Sequence, residues 1–153
     1  MSPLDFMRLI WAVDHEMERV SKQMEARLGL TIPQRMSLLL IARDPAMRAS
    51  ELARLLHLHP GTVSGIIGRL ETAGLVVRTG DEIDARRWRL ALTPRGRRIN
   101  QRRAGTFEAA TRRALAGVSG PQAEGAAHVL TRLAAELRAS CDARQPPQNS
   151  GRR

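Results

Sequence analysis

The apolar positions along the chain predict a mainly helical protein. Between Leu4 and Leu28 they recur at alternating spacings of four and three residues, which is the repeat of a long amphipathic helix. Gly29 then suits the left-handed residue that ends a helix. Such a seam needs a partner surface, supplied either by the same chain or by a second subunit. Its members are Phe6, Ile10, Val13, Met17, Val20 and Met24.

Three shorter helices are predicted next. Thr31 and Gln34 form a capping box for one that starts near Pro33, and Asp44-Pro45 ends it. Ser50 is expected to cap a short second helix. The third helix, Pro60 to Ala73, carries small and polar residues opposite one apolar face. That apolar face comprises Val63, Ile66, Ile67 and Leu70, and the opposite one Gly61, Thr62, Ser64, Gly65, Gly68 and Arg69.

A β-ribbon and two more helices complete the predicted order. Val76 to Thr79 and Trp88 to Leu92 are expected to be antiparallel strands, because Trp88, Leu90 and Leu92 alternate with polar or small residues. A helix capped by Thr93 is expected to run to about Ala116, with Gly105 as a weak point. A final helix follows Ser119. Its expected buried stripe is Val129, Leu130, Leu133, Ala134 and Leu137.

Composition points to a nucleic-acid partner. The chain has 153 residues and a net charge of +10, which fits one domain or two small lobes sharing a core. Lys22 is the only lysine, and arginine favours bidentate contacts with phosphate. No apolar run is long enough to span a membrane, and Cys141 is the single cysteine. A cytoplasmic protein that binds a polyanion, rather than a membrane surface, is expected.

The short helix, the turn and the helix from Pro60 have the spacing of a helix-turn-helix, in which the second helix enters the major groove. Thr62 and Ser64 are suited to hydrogen-bond bases, Arg69 to contact phosphate, and His59 to lie in the turn or on the backbone. An ordinary pair of packed helices remains the alternative. The ribbon favours DNA, because nine arginines face three acids between Arg78 and Arg103. An arginine on such a ribbon is suited to an adjacent minor groove.

The order of these motifs resembles the MarR family of winged-helix bacterial transcription regulators. The resemblance runs from Leu30-Thr31 to Gly96 through a series of short motifs, none specific alone. They are Ser50-Glu51-Leu52-Ala53, Thr62-Val63-Ser64, Arg69-Leu70-Glu71, Gly74-Leu75-Val76, Arg78, Asp84-x-Arg86 and Leu92-Thr93-Pro94-x-Gly96.

The resemblance implies a mainly α fold with a small antiparallel β-ribbon, comprising a winged helix-turn-helix lobe and a helical dimerisation lobe. The expected parts are residues 1–30 and 94–141 for dimerisation, 31–93 for DNA binding and 142–153 as a disordered tail. Arg86 matches the wing-tip arginine, and Asp84 the acid that holds it. The expected DNA contacts are Ser50, His59, Gly61, Thr62, Ser64, Gly65, Arg69, Asp84, Arg86 and Arg87, and the expected dimer contacts are Phe6, Ile10, Val13, Met17, Leu130, Leu133 and Leu137.

Two departures from the family pattern stand out. Gly65 lies where many members carry a larger polar or basic side chain, so the ribbon and DNA shape are expected to contribute much of the specificity. The segment after Thr93 is unusually rich in arginine, for which the sequence offers no physical account.

Family members commonly bind a small molecule in a cleft between the two lobes. A small aromatic or anionic effector is therefore expected here, with Arg35 pairing with a ligand carboxylate. That these residues are simply core and surface residues is an equal alternative. The corresponding positions are Trp11, His15, Arg35, Met36, Leu39 and Phe107.

No catalytic motif, metal-ligand spacing or cofactor motif is present, so neither enzyme activity, metal nor cofactor is expected. The predicted function is a homodimeric, sequence-specific regulator, a repressor released by a ligand, on a pseudo-palindromic duplex operator. The alternatives are a sequence-independent architectural DNA binder, a metal-dependent or redox-sensing module, and a protein-binding adaptor. Cys141, which has no neighbouring Cys or His in sequence, is expected to be a passive thiol.

Overall fold

The computed structural model describes residues 1–80 and 88–142. Contacts divide the chain into two compact units, residues 1–110 and the residues from 111 onward. The predicted tail after residue 142 and most of the predicted ribbon loop lie outside the described residues. In chain order the elements are α1 (Pro3–Leu28), α2 (Ile32–Arg43), α3 (Ala49–Leu56), α4 (Pro60–Thr72), β1 (Val76–Gly80), β2 (Trp88–Leu92), α5 (Pro94–Gln101), α6 (Phe107–Ala116) and α7 (Gly120–Asp142).

Helix α1 begins and ends on local signals. Ser2 and Asp5 form a reciprocal capping box, and Gly29 takes the predicted left-handed conformation with φ 68°. Met24 is the only buried residue of this 26-residue helix. The rest of the predicted seam is half-buried or exposed, and Val13 is 57% exposed. The described residues therefore cover most of the α1 seam only partly.

The hydrophobic core of the first unit lies among α2, α3, α4 and the ribbon. Gln34 accepts a hydrogen bond from the Thr31 backbone N–H at 2.9 Å, which confirms one half of the predicted capping box at the start of α2. The apolar faces of the three helices then meet. The most deeply buried members are Leu30, Leu38, Met47, Leu52, Val63, Ile67, Leu70 and Val76.

Four local predictions are wrong. Ser50 does not cap α3: Arg48 is the N-cap, and Ser50 is an exposed residue within the first turn. Trp88 is 56% exposed, although Leu90 and Leu92 in the same strand are buried. The helix expected to reach Ala116 ends at Gln101. The expected buried stripe of α7 is largely exposed, with Leu130 at 49% and Leu137 at 58%.

The ribbon is tied at its base to the helices. Strand β1 pairs antiparallel with β2, with Val76 opposite Leu92. The Leu90 N–H donates to the Met47 carbonyl at 2.8 Å, which joins β2 to the segment before α3. The Thr93 N–H donates to the Leu75 carbonyl at 3.0 Å, and its hydroxyl donates to Gly74 O at 2.7 Å. These bonds fix where α5 starts relative to the end of α4.

Gly96 permits this close approach. Thr93 Oγ1 caps α5 by accepting from the Gly96 N–H at 2.9 Å, and a Cβ at Gly96 would lie 2.0 Å from the Leu75 carbonyl oxygen. That distance is a steric overlap with backbone, which cannot rotate away as a side chain can. The glycine of the Leu-Thr-Pro-x-Gly segment is therefore required by packing.

Gly96→Ala is expected to destabilise the protein by about 1–3 kcal/mol, because the added methyl group displaces the Leu75 backbone. Gly68→Ala is the matched control: a Cβ there meets nothing within 4 Å. The control is expected to raise stability by up to about 1 kcal/mol, since alanine is the better helix former. Urea unfolding at one fixed protein concentration measures both. Equal midpoints for the two variants would contradict this account of Gly96.

A buried arginine accounts for the break after α5. Arg35, on α2, is 1% exposed. Its guanidinium donates to the carbonyl oxygens of Ile99 (3.0 Å), Asn100 (3.0 Å) and Arg102 (2.9 Å). These lie at the C-terminal end of α5, where helix carbonyls lack partners within the helix. Arg35 therefore stabilises a helix end that the sequence pattern does not indicate.

The same guanidinium pairs with Glu108 in the first turn of α6. Arg35 Nε lies 2.9 Å from Glu108 Oε1, and Nη2 contacts the same oxygen. Between the two helices, Gly105 adopts a positive φ of 69° and the Thr106 hydroxyl donates to Arg103 O at 2.8 Å. Burial raises the pKa of the Glu108 carboxyl, but the hydrogen bond and charge of Arg35, together with hydrogen bonds from the Glu108 backbone and the Thr106 side chain, outweigh burial, and the pKa lies below its ordinary value. We call Arg35, Glu108 and the three bound carbonyls the Arg35 clamp.

Arg35→Ala is expected to cost about 3–5 kcal/mol of unfolding free energy, because it leaves Glu108 and three carbonyls without their partner. Arg98→Ala, an exposed arginine on α5, is the control and is expected to stay within about 0.5 kcal/mol of wild type. Urea unfolding at fixed protein concentration again provides the measurement. A small effect of Arg35→Ala would show that the clamp contributes little.

The clamp also predicts a pH dependence. Because folding lowers the Glu108 pKa, its contribution is complete above the unfolded value of about 4.3 and is lost as the pH falls through the folded value. The free energy of unfolding, measured from about pH 6 down to about pH 4, should therefore fall more steeply for wild type than for Glu108→Gln. Parallel curves would contradict an ionised Glu108.

Within residues 1–80 and 88–142, no helix is both long enough and apolar enough to cross a membrane.

Candidate nucleic-acid interface

The turn between α3 and α4 is short and tightly defined. His57 adopts a left-handed conformation with φ 53°, and the Leu58 N–H returns to the Ala53 carbonyl at 3.0 Å. His59 is the N-cap of α4, where its Nδ1 accepts from the Gly61 N–H at 3.1 Å. The expected turn position of His59 is confirmed. Its imidazole ring caps the first turn of α4.

Helix α4 has the two faces that the sequence predicts. Val63 and Ile67 are fully buried, and Ile66 and Leu70 are nearly so. The other face is solvent-exposed and carries Gly61, Thr62, Ser64, Gly65 and Arg69. Burying one face in the core fixes which side chains the helix presents outward. That outward face bears hydroxyls and one guanidinium and no bulky group.

The glycines on this face are not required by packing within the chain. A Cβ at Gly65 or Gly68 would meet nothing within 4 Å, whereas one at Gly61 would lie 3.3 Å from His59 Nδ1. Glycine in a helix interior costs about 1 kcal/mol relative to alanine, so α4 is weakened without any internal gain. The middle of the exposed face of α4 therefore has no side chains that project from the helix at Gly65 and Gly68.

Ion pairs neutralise the acids around this surface. Glu51 pairs with Arg54 across one turn of α3, and the hydrogen bond from Arg54 lowers the pKa of the Glu51 carboxyl. Glu71 Oε1 accepts from Arg78 Nε at 3.0 Å. These are the two acids between residues 48 and 80, and Arg69 lies exposed beyond them. The face is therefore neutral to positive, as a phosphate-bearing partner requires.

The ribbon lies next to α4 in the chain, but its tip lies outside the described residues. Asp84, Arg86 and Arg87 fall there, so their expected contacts stay predictions. Ser50 is exposed near the start of α3, where it remains available for a contact despite not being the cap.

The residues predicted for a ligand cleft have different surroundings. Trp11 is 76% exposed and His15 is exposed, both on α1. Met36 is exposed, while Leu39 and Phe107 are half-buried. Arg35 is the correction: its guanidinium is held in the Arg35 clamp, so it is not the free cation expected to meet a ligand carboxylate.

The predicted dimer contacts lie on two helices that each expose apolar side chains. On α1, Phe6, Ile10 and Met17 are half-buried and Val13 is exposed. On α7, Leu133 is half-buried, while Leu130 and Leu137 are exposed. Cys141 is an exposed free thiol. Among the described residues, no group of three or more His, Cys, Asp or Glu side chains is placed to hold a metal ion.

Two residues with structural tasks escaped the sequence-based predictions of sites. Arg35 was expected to face a ligand, and nothing local signals a partner 73 residues away. Gly96 appeared only as part of a motif, although a glycine three residues after a Thr cap does indicate a close backbone approach.

A helix-turn-helix with an open polar face, followed by an antiparallel ribbon, defines the winged-helix class of DNA-binding proteins. The sequence profile of the MarR family matches residues 30–87. The HTH-type transcriptional repressor Rv2887 of Mycobacterium tuberculosis is 31% identical over 109 residues, covering 71% of this chain and 78% of that protein. The chain therefore belongs to the MarR family and is a DNA-binding transcription regulator.

Solved structures agree on the fold. Rv2887 in complex with salicylic acid has a TM-score of 0.56 at 28% identity, covering 87% of this chain and 97% of that one. CouR from Rhodococcus jostii RHA1, bound to p-coumaroyl-CoA, has a TM-score of 0.72 at 25% identity, covering 85% and 92%. The Staphylococcus aureus MepR–DNA complex has a TM-score of 0.69 at 24% identity, covering 86% and 97%, and supports the fold alone.

Proposed function

We propose that this regulator is a homodimeric repressor that reads a pseudo-palindromic operator through α4 and is released by a small molecule. The observation that carries the proposal is the exposed face of α4, where Thr62 and Ser64 lie beside Gly65 and Gly68, which no contact among the described residues requires to be glycine. A helix with so little bulk approaches a groove closely. The named relatives support a repressor that responds to a ligand, since Rv2887 is a repressor and its structure holds salicylic acid.

The proposed DNA contacts differ in the group that each side chain binds. Thr62 and Ser64 bond base edges, and the Thr62 methyl suits a thymine. Arg69 bonds phosphate, and Ser50 and the backbone around Gly61 lie near the same strand. The ribbon arginines Arg86 and Arg87 reach the minor groove and the backbone, with Asp84 orienting Arg86. Because glycines replace base-reading side chains, DNA shape contributes much of the specificity.

Dimerisation follows from exposed apolar surface. On α1, five large apolar side chains are more than half exposed in the single chain: Leu4, Met7, Leu9, Trp11 and Val13. So much exposed apolar surface on one helix is unfavourable in water and is typical of an interaction surface. The α1 seam and the exposed leucines of α7 are the surfaces we propose for a second copy. A symmetric dimer presents two α4 helices about one DNA turn apart.

The rivals make different predictions. A sequence-independent architectural binder shares the charge but does not discriminate between DNA sequences. A protein-binding adaptor shows no salt-dependent DNA affinity, whereas phosphate contacts give a steep fall with salt. A metal-dependent or redox module needs a bound metal or a reactive thiol; zinc retained through purification and lost in His59→Ala would favour the former. No enzyme activity is proposed.

The α4 face is tested with Thr62→Ala and Ser64→Ala. Each is expected to weaken binding to the protein's own upstream DNA by about 1–3 kcal/mol while leaving binding to unrelated DNA unchanged, because base contacts carry the sequence preference. Ser140→Ala on α7 is the control and should bind normally. Arg69→Ala should weaken both DNAs and reduce the salt slope by about 1. Titration of labelled DNA at several salt concentrations provides these values.

Equal loss on both DNAs for Thr62→Ala and Ser64→Ala would favour the architectural rival. Arg86→Ala extends the test to the ribbon and should weaken upstream binding without changing the oligomeric state. Unchanged affinity in that variant would remove the ribbon from the proposed interface.

The dimer is tested with Val13→Asp. Val13 is 57% exposed in the single chain, so a carboxylate there does not disturb the fold of a monomer but does disrupt a subunit interface. Sizing with light scattering is expected to show a monomer, and far-UV circular dichroism should retain the helices. Lys22→Glu, an equally exposed charge change on the same helix, should remain dimeric. A dimeric Val13→Asp would show that the α1 seam packs elsewhere.

A further inference from the structure

We propose a small-molecule site at the junction of α2, β2 and α5, and we infer that its ligand is a small apolar carboxylate. The structure has a cavity of about 360 Å³ there. That volume lies at the lower end of the range for sites that take small ligands. None of its lining residues belongs to the set predicted for the cleft, which centres on α1, the middle of α2 and the start of α6. The inference rests on the proposed function, because it supplies the release step.

The floor of the cavity is apolar. It is formed by Ile41 from α2 and by Leu90 and Leu92 from β2, all buried members of the hydrophobic core. Ala42 and Pro45, at the end of α2, complete the apolar wall. A ligand body that covers these side chains removes its own apolar surface and theirs from water, which is the main source of affinity in such sites.

The opposite wall is polar and comes from α5. Arg97, Asn100 and Gln101 line it, and none of the described residues that line the cavity is an acid. Arg97 Nη1 donates to the Leu92 carbonyl at 2.7 Å, which holds the guanidinium beside the cavity. The other edge of that guanidinium has no partner among the described residues. Arginine binds carboxylates through two parallel bonds, so the charge of this wall selects an anion over a cation.

Asn100 contributes to the polar wall by its position. Its amide oxygen is buried and has no hydrogen-bond partner among the described residues. Because this oxygen is closed to solvent and is only an acceptor, it forms no bond with a bound carboxylate. The Asn100 backbone carbonyl, by contrast, is held by Arg35 at 3.0 Å, so the residue cannot easily move away.

The position of the cavity explains how occupancy would reach the DNA-binding surface. Strand β2 is one half of the ribbon, and its Leu90 N–H bonds the Met47 carbonyl just before α3. A ligand that touches both β2 and α5 favours one placement of the ribbon over others. It changes DNA affinity to the extent that it binds those placements unequally.

The test uses the full-length protein and two probes of the same shape, 4-isopropylbenzoate and its neutral amide, 4-isopropylbenzamide. Calorimetry is expected to show the carboxylate binding about tenfold more tightly, which is the worth of one charge-assisted hydrogen bond. Arg97→Gln should remove that preference, because glutamine carries no charge and forms no bidentate bond with a carboxylate. Arg98→Gln, its exposed neighbour, is the matched control and should keep the preference.

Ala42→Trp provides a second, steric test. Ala42 is exposed and lines the cavity, so a large ring there fills the space without entering the core. Both probes should lose binding in this variant, while its urea midpoint stays near that of wild type. Wild-type affinity for the carboxylate in Ala42→Trp and Arg97→Gln would place the probe elsewhere and overturn the proposal. Absence of binding to wild type at millimolar concentrations would also overturn it.

One further measurement distinguishes failure of the cavity site from failure of the proposed function: binding to the upstream DNA with and without the probe. Specific DNA binding together with no probe binding would reject the cavity site alone. Probe binding that obeys Arg97→Gln and Ala42→Trp, in a protein without DNA preference, would keep the site and reject the proposed function.

Discussion

The Arg35 clamp is the interaction on which the arrangement of the first unit depends. One buried guanidinium on α2 holds three carbonyls at the end of α5 and the carboxylate of Glu108 at the start of α6. A charge that is nearly inaccessible to water is stable only where its donors are satisfied. The clamp therefore fixes both the end of α5 and the start of α6. Since α5 begins at the Leu75 backbone beside Gly96, the same constraint extends to the base of the ribbon.

The outward face of α4 is a consequence of that frame. Four apolar residues, with Val63 and Ile67 fully buried, decide how the helix is rotated. Rotation alone then determines that Thr62 and Ser64 point away from the core. The unsupported glycines beside them lower helix stability by about 1 kcal/mol each. Capping by His59 and burial of the opposite face offset that loss. The helix therefore stays stable although its exposed face carries small side chains.

Much of this fold was predictable from the sequence because its signals are local. The capping box at Thr31 and the two faces of α4 depend on residues a few positions apart, and the two strands of the ribbon are neighbours in the chain. The wrong predictions concern features that depend on the surroundings of a residue in the folded chain. The end of α5 at Gln101 depends on Arg35, far away in the sequence. Trp88 alternates correctly along β2, but it is 56% exposed at the end of the strand, away from the buried Leu90 and Leu92. The DNA-contact roles of Thr62, Ser64 and the ribbon arginines remain predictions, because contact with a partner is not a property of the chain alone.

The clamp also constrains where an anionic effector can act. A carboxylate that approaches Arg35 competes with Glu108 and with three carbonyls for a fixed set of donors. If the ligand carboxylate bound Arg35, it would leave Glu108 ionised and buried without its partner, at a cost of about 3–5 kcal/mol. Among the described residues Arg97 has no such competitor: it is exposed, donates to one carbonyl, and lines a cavity whose described lining contains no acid. On energetic grounds, then, Arg97 on α5 is better suited to an anionic effector than Arg35 on α2. Because Arg97 also donates to the Leu92 carbonyl of β2, an anion bound at the proposed site would lie directly beside the base of the ribbon.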